Sequence, residues 1–290
     1  MAISKNTIPD AMLMLLNCKG KIIQFERPVI MGILNVTPDS FYKGYLNQTN
    51  KEIVAMASGM IAAGADIIDI GGQSTRPGSE RISADEELRR VVPVITAILN
   101  KDPDTIISID TYYSQVAEVA IASGAAIIND ISGGEMDPEM IGLAARAKAP
   151  YICMHMKGTP ETMQNGPQYE YIITEIIDFF ALKIRQCHDA GIVDLILDPG
   201  FGFGKSIDQN FYLLKNLSAF SILGKPVLAG LSRKGTIYKT LNVSAEDALN
   251  GSTVLHTIAL MNGADILRVH DVKEARETAV LVSAYKNAAP

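Results

Sequence analysis

Eight short apolar runs, each separated from the next by a segment of helix length, limit what this chain can fold into more than any other feature. The runs span 29–34 (VIMGIL), 66–70 (DIIDI), 105–109 (TIISI), 125–129 (AAIIN), 150–154 (PYICM), 194–198 (DLILD), 225–230 (KPVLAG) and 264–269 (ADILRV). They are rich in Ile, Val and Leu, as strands buried on both faces are. The intervening segments 51–63, 84–100, 114–123, 138–147, 169–190, 208–217, 246–262 and 272–286 read as helices. Strand and helix alternating eight times predict an α/β chain forming a single-domain (β/α)8 TIM barrel. A doubly wound open sheet is the alternative.

The size agrees. The chain has 290 residues, 48% of them hydrophobic, and such barrels take about 250 residues as one unit. Residues 28–290 are read as the barrel domain and 1–27 as an N-terminal extension, with a hairpin turning near Gly20. A weak repeat marks the units: Gly64-Ala65-Asp66-Ile67-Ile68, Gly124-Ala125-Ala126-Ile127-Ile128 and Gly263-Ala264-Asp265-Ile266-Leu267. In each, Gly is placed to end a helix in the left-handed conformation before the next strand.

Several function classes are disfavoured. The formal net charge is −6 and no basic block occurs, so nucleic acid is not an expected partner. No run of about 18 apolar residues appears, so no membrane span is expected. Cys18, Cys153 and Cys187 are scattered and odd in number. They suggest neither a disulfide framework nor a metal cluster, and a reducing cytoplasm is the expected setting.

Side chains of a parallel barrel alternate between the interior and the helix layer. Ile106, Ser108 and Asp110 then share one face, as do Ile33, Asn35 and Thr37, and Ile266, Arg268 and His270. Asn129 and Asp198 end their runs, and Ser232 and Lys234 follow the seventh. Polar groups thus collect at the C-terminal ends of many strands, the end that carries the site in barrel enzymes. An Asp or Asn at one strand end is often only a helix cap, and a lone His is usually structural. Asn35, Asp110, Asn129, Asp198, Arg268 and His270 together argue for one convergent site. Asp69 reads as a buried group behind them. Arg76, Lys234, Arg268 and His270 are cationic or potentially so and suit phosphates. Asp110, Asn129 and Asp198 suit a heterocycle with an amidine-like edge.

Two glycine-rich stretches flank this set. Residues 200–206 (GFGFGKS) lack the first glycine of a P-loop, because Pro199 stands in its place. They read as a mobile turn exposing Phe201 or Phe203. Residues 71–78 (GGQSTRPG) form a long polar loop after the second strand, with Arg76 aimed at something anionic.

Seven segments in order, MGILNVTPDSF (31–41), GGQSTRPG (71–78), SIDT (108–111), INDISGG (128–134), DPGFGFGK (198–205), LSRK (231–234) and RVHDV (268–272), resemble the dihydropteroate synthases from about Pro28 onward. The resemblance implies a cytoplasmic (β/α)8 homodimer that joins 6-hydroxymethyl-7,8-dihydropterin diphosphate to p-aminobenzoate, releasing pyrophosphate. By position, Asp110, Asn129, Asp198, Lys234 and Met154 match the pterin pocket, and Gly230 and Ser232 border it. Asn35 matches a ligand of Mg²⁺, shared with diphosphate oxygens and water. Arg268 and His270 match diphosphate ligands. Thr75 and Arg76 belong to a loop over the substrates, and Phe41, Pro77 and Phe203 to the p-aminobenzoate walls. Asp110, Arg76 and Lys234 are the expected catalytic groups. A methyltetrahydrofolate:corrinoid methyltransferase-like barrel, or a catalytically silent pterin-binding paralogue, is the alternative.

The chain departs from the family pattern in places. Gln73 stands where Glu is usual, and Tyr42-Lys43-Gly44-Tyr45 replace small and acidic residues. Gly235 stands where a Ser often holds the p-aminobenzoate carboxylate. A backbone N–H at a helix start is then the remaining donor, and weaker p-aminobenzoate and sulfonamide recognition is expected.

Overall fold

A computed structural model describes residues 14–37, 46–74, 81–159 and 168–289. Eight parallel strands form one sheet: β3 (Val29–Asn35), β4 (Ile67–Gly71), β5 (Ile107–Asp110), β6 (Ile127–Asp130), β7 (Tyr151–Met154), β8 (Leu195–Asp198), β9 (Leu228–Ala229) and β10 (Ile266–Val269). Their spatial order is β8-β7-β6-β5-β4-β3-β10-β9. A parallel bridge between Leu197 and Val227 joins the two outer strands and closes the barrel. Each expected run falls on a strand, although only two residues of the 225–230 run do so.

Helices α1 (Leu46–Ala62), α2 (Ala84–Lys101), α3 (Ser114–Ala122), α4 (Met140–Ala147), α5 (Ile172–Ala190), α6 (Ile207–Lys215), α7 (Gly235–Leu241), α8 (Leu249–Met261) and α9 (Val272–Asn287) surround the sheet. Local chemistry sets several of their ends. Ser83 caps α2, accepting from the Glu86 N–H at 3.2 Å. Ser206 and Gln209 form a reciprocal capping box on α6. The repeat glycines Gly64, Gly124 and Gly263 have φ of +103°, +115° and +95°. The short α7 is absent from the sequence reading. Its seven residues give too few turns to display an apolar stripe.

The strands separate two apolar regions. Ile30, Ile68, Ile70, Ile107, Ile109 and Ile128 face the helices. Met31, Ile67, Ile127, Ile152, Ile196, Leu228 and Ile266 fill the barrel interior. The antiparallel hairpin β1 (Leu15–Cys18) and β2 (Lys21–Gln24) turns through Lys19 and Gly20. Both turn residues have positive φ, +54° and +87°, the geometry of the tight turns that suit strand twist. Leu16, Cys18 and Ile23 of this hairpin join the interior cluster and floor the barrel. Among the described residues, no helix is long and apolar enough to cross a membrane.

Candidate active site

The polar ends of the strands meet at the mouth opposite this floor. Strand register pairs Asn35 with Gly71, Gly71 with Asp110, and Asp110 with Asn129. Three polar side chains therefore stand in one row with a gap at Gly71. A Cβ on Gly71 would lie at ordinary contact distance, 3.6 Å, from both Asn35 Oδ1 and Asp110 Oδ2, so the glycine faces the space between them. Register also pairs Met154 with Asp198.

Arg268 organises the centre. Its Nε donates to Asp69 Oδ2 at 2.6 Å and its Nη2 to Asp110 Oδ2 at 2.6 Å. Asn129 Nδ2 donates to the same Asp69 oxygen at 3.1 Å. Asp69 is fully buried and acts from behind the site, as the sequence reading has it. Among the described residues no partner takes Arg268 Nη1, which leaves that side of the guanidinium for a ligand. Burial pushes Asp110 up to about 7; Arg268 pulls it down, and Asp69, Asp130 and Asp198 push it up further. Its Oδ1 is buried with no partner among the described residues. Such an atom costs about 1–3 kcal/mol, a cost that a donor on a ligand would relieve.

Asp198 and Lys234 form the second half of the pocket. Asp198 accepts the Gly200 N–H at 2.7 Å, and burial raises its pKa against the pull of Lys234. Lys234 Nζ donates to Phe201 O at 2.5 Å and lies 4.8 Å from the Phe203 ring centre. Burial lowers its pKa to about 8, with Asp198 opposing. Gly230 borders this space: a Cβ there would stand 3.6 Å from Lys234 Nζ, an ordinary contact. Met154, Tyr112 and Ile131 make an apolar wall with the half-buried Phe203.

Ser232 ties this half to the anion end. Its hydroxyl accepts the His270 N–H at 3.2 Å and sits 3.1 Å from His270 Nδ1. Partial burial and the Arg268 charge lower the imidazole's pKa. The shift favours the neutral ring, so His270 belongs to the potentially cationic part of that set. Of the two aromatic residues offered by the glycine-rich turn, Phe201 is fully buried in the helix-facing core and Phe203 borders the pocket.

Arg233 and Lys205 are not singled out by the sequence reading. Arg233, with φ of +53°, bonds Asp271 through Nε and Nη2 at 2.8 and 2.9 Å. It points away from the pocket while its neighbours Ser232 and Lys234 face it. Lys205 is buried beneath the Gly200–Phe203 turn. The alternation that marks strand ends says nothing about either, because both lie in loops held by distant partners. Gln73 donates to the Tyr112 hydroxyl and accepts the Ile82 N–H at 3.4 Å. A neutral amide fits that double role. Gly235 opens α7, and a Cβ there would meet Tyr238 Oη at an ordinary 3.5 Å. Phe41, Thr75, Arg76 and Pro77 lie outside the described residues.

A barrel mouth that pairs an acid–amide–acid pocket with an anion end defines a class, and comparison with known proteins identifies it. The model of the pterin binding enzymes matches residues 31–270, and the chain belongs to that family. A dihydropteroate synthase of Escherichia coli K12 is 44% identical over 273 residues, 93% of this chain and 96% of the relative. A dihydropteroate synthase of Xanthomonas albilineans with 4-aminobenzoic acid superposes with a TM-score of 0.89 at 38% identity, covering 96% of this chain and all of that one. The same organism's synthase in complex with 7,8-dihydropteroate gives 0.86 at 36% identity, covering 95% and 100%. Within the pterin-binding barrels, the chain belongs to the dihydropteroate synthases.

Proposed function

We propose that the mouth condenses 6-hydroxymethyl-7,8-dihydropterin diphosphate with p-aminobenzoate, giving 7,8-dihydropteroate and pyrophosphate. The observation that carries this reading is the unpartnered Asp110 Oδ1 beside Asn129, with Asp198 and Lys234 across the pocket. Two acids and an amide offer acceptors and donors to the edge of a pterin ring. The relatives support the synthase over a corrinoid methyltransferase, because an Arg268–His270 anion end beside the pocket is needed only when a diphosphate leaves.

The chemistry follows from the groups present. The C–O bond between the pterin methylene and the diphosphate breaks, and the electron pair leaves with pyrophosphate. Positive charge then spreads over the pterin, where Asp110 and Asp198 stabilise it. Arg268, oriented by Asp69, and a neutral imidazole N–H from His270 receive the departing anion. The arylamine then forms the C–N bond and gives up a proton. Exclusion of water from the apolar wall of Met154, Tyr112 and Phe203 protects the cation.

Mg²⁺ fits the donors here. Asn35 presents a neutral carboxamide oxygen beside the Gly71 gap, and this ion takes few protein oxygens, completing its shell with water and phosphate. Among the described residues no group of three His, Cys, Asp or Glu forms a metal cage, so Asn35 is the protein ligand in this reading. When bound, the ion neutralises charge on the diphosphate. A homodimer is supported by the exposed Val254, Ile258, Met261, Val280 and Leu281 on α8 and α9. A cytoplasmic setting is supported by three free, buried cysteines.

The test supplies the pterin diphosphate, p-aminobenzoate and Mg²⁺ and follows pyrophosphate release. Turnover that requires all three is the expected result. Tight pterin binding without turnover contradicts the reading.

A further inference from the structure

Lys205 is buried, and none of the steps above uses it. Its Nζ donates to Gly200 O at 2.9 Å and Phe203 O at 3.0 Å, and lies 3.4 Å from His155 O. His155 Nδ1 is the fourth neighbour, at 3.2 Å. A lysine ammonium has three N–H donors and no acceptor. When Lys205 is protonated, His155 Nδ1 is therefore the acceptor in this contact, with its ring proton on Nε2. Burial, followed by the charges of Lys205 and Lys157, pushes the His155 pKa down to about 2, which keeps that lone pair available.

These contacts draw together two pieces of backbone, the turn after β8 and the residue that follows β7. The approach is close. Gly200 has φ of +72°, and a Cβ there would fall 1.9 Å from His155 O. What the turn carries is functional. Phe201 O receives the Lys234 ammonium, and the Phe203 ring lies beneath the same group and against Met154. Burial pushes the Lys205 pKa down to about 7, against the pull of Asp198, so keeping an amine here has a cost. Among the described residues no carboxylate hydrogen-bonds to it. A chain that only needed to fill this volume would be served by Met or Leu, since a buried charge is expensive to desolvate.

We propose that Lys205 is a positioning residue for the amine substrate: its side chain staples the Gly200–Phe203 turn to His155, and so holds the Phe203 ring in place beside Lys234. The proposal rests on the synthase reading and specifies which residue shapes its second substrate site.

The test compares Lys205→Met and Lys205→Gln, each alone and with Phe203→Ala, in steady-state assays that vary the two substrates separately. Pterin diphosphate affinity is measured by calorimetry alongside. Lys205→Met is expected to raise the p-aminobenzoate KM about tenfold or more, with pterin affinity within about threefold. Lys205→Gln keeps two N–H donors and is expected to fall between Met and wild type; it also carries the comparison if the Met variant melts too low to assay. In the Phe203→Ala background the substitution at 205 is expected to add less than about twofold, because neighbouring residues acting through one group do not add. An unchanged p-aminobenzoate KM overturns the proposal. So do equal losses for both substrates, or an undiminished effect without Phe203. A wild-type protein that releases no pyrophosphate overturns the synthase reading instead.

Discussion

The floor and the mouth of this barrel are built from the same strands, two residues apart. At the floor, Ile67, Ile127, Ile152, Ile196, Leu228 and Ile266 face inward onto the hairpin. Two residues further along each strand stand Asp69, Asn129, Met154, Asp198, Gly230 and Arg268. That step is about 6–7 Å of chain. Across it the interior changes from an apolar layer to one holding buried charge. Asp69 Oδ1, Ser108 Oγ and Asp110 Oδ1 have no partners there among the described residues. The lower layer contributes stability by burying apolar surface, about 1.5–3 kcal/mol for each large side chain. The upper layer gives up some stability to hold groups ready for a ligand. Neither could take the other's role, and the strand period keeps them in register.

Substitutions at the two levels should separate these roles, and the largest effect belongs to the mouth. Asp198→Asn or Asp110→Asn is expected to lower kcat/KM by about 100- to 1000-fold, with unfolding free energy changed by no more than about 1–2 kcal/mol. Ile196→Ala, two residues below Asp198, is expected to do the reverse. It should cost about 2–5 kcal/mol in urea unfolding and leave kcat/KM per folded molecule within a few-fold. A floor variant as inactive as the mouth variants would break the division.

The pH dependence sharpens the same contrast. Asp110 rises from 3.8 unfolded to about 7 in the fold. The native state therefore holds an extra proton across that window, and stability declines as pH rises through it. Catalysis should run the other way. Below about 7 the carboxyl is protonated, so kcat/KM for the pterin diphosphate is expected to rise with pH through about 7 and to fall again as Lys234, lowered to about 8, loses its proton. Asp110→Asn should remove the acid limb of the activity profile and part of the stability slope, the rest belonging to Glu87, which burial pushes up to about 8; an unchanged pH profile in that variant would detach Asp110 from the titration. Floor variants should leave both slopes in place.

The smallest effect is at the amine side. Gly235→Ser adds a hydroxyl at the start of α7, where a Cβ meets only ordinary contacts. One hydrogen bond to a carboxylate is worth about 1.5–3 kcal/mol. The variant is expected to lower the p-aminobenzoate KM by about tenfold and to tighten sulfonamide inhibition in parallel. No change in either would show that this position does not contact the carboxylate.

What the amino-acid sequence discloses about this protein follows the same division. Strand ends are legible because burial on both faces forces continuous apolar runs, and a polar residue such as Asp110 or Arg268 stands out against Ile107–Ile109 or Ile266–Leu267. The pairing of Arg268 with Asp69 is not legible, because 199 residues separate them. The inside of the turn after β8 is not legible for a related reason. Lys205 and His155, which meet there, are 50 residues apart, and nothing local says that Phe201 rather than Phe203 turns into the core. The charge of His270 likewise depends on Arg268 and on burial, neither of which a two-residue spacing reveals.

Calorimetric titration of 6-hydroxymethyl-7,8-dihydropterin diphosphate into wild type, Asp110→Asn, Asp198→Asn and Ile196→Ala tests the division most directly. The account predicts wild-type-like binding by Ile196→Ala and losses of about tenfold or more in both mouth variants. Mouth variants that bind as tightly as wild type would contradict it.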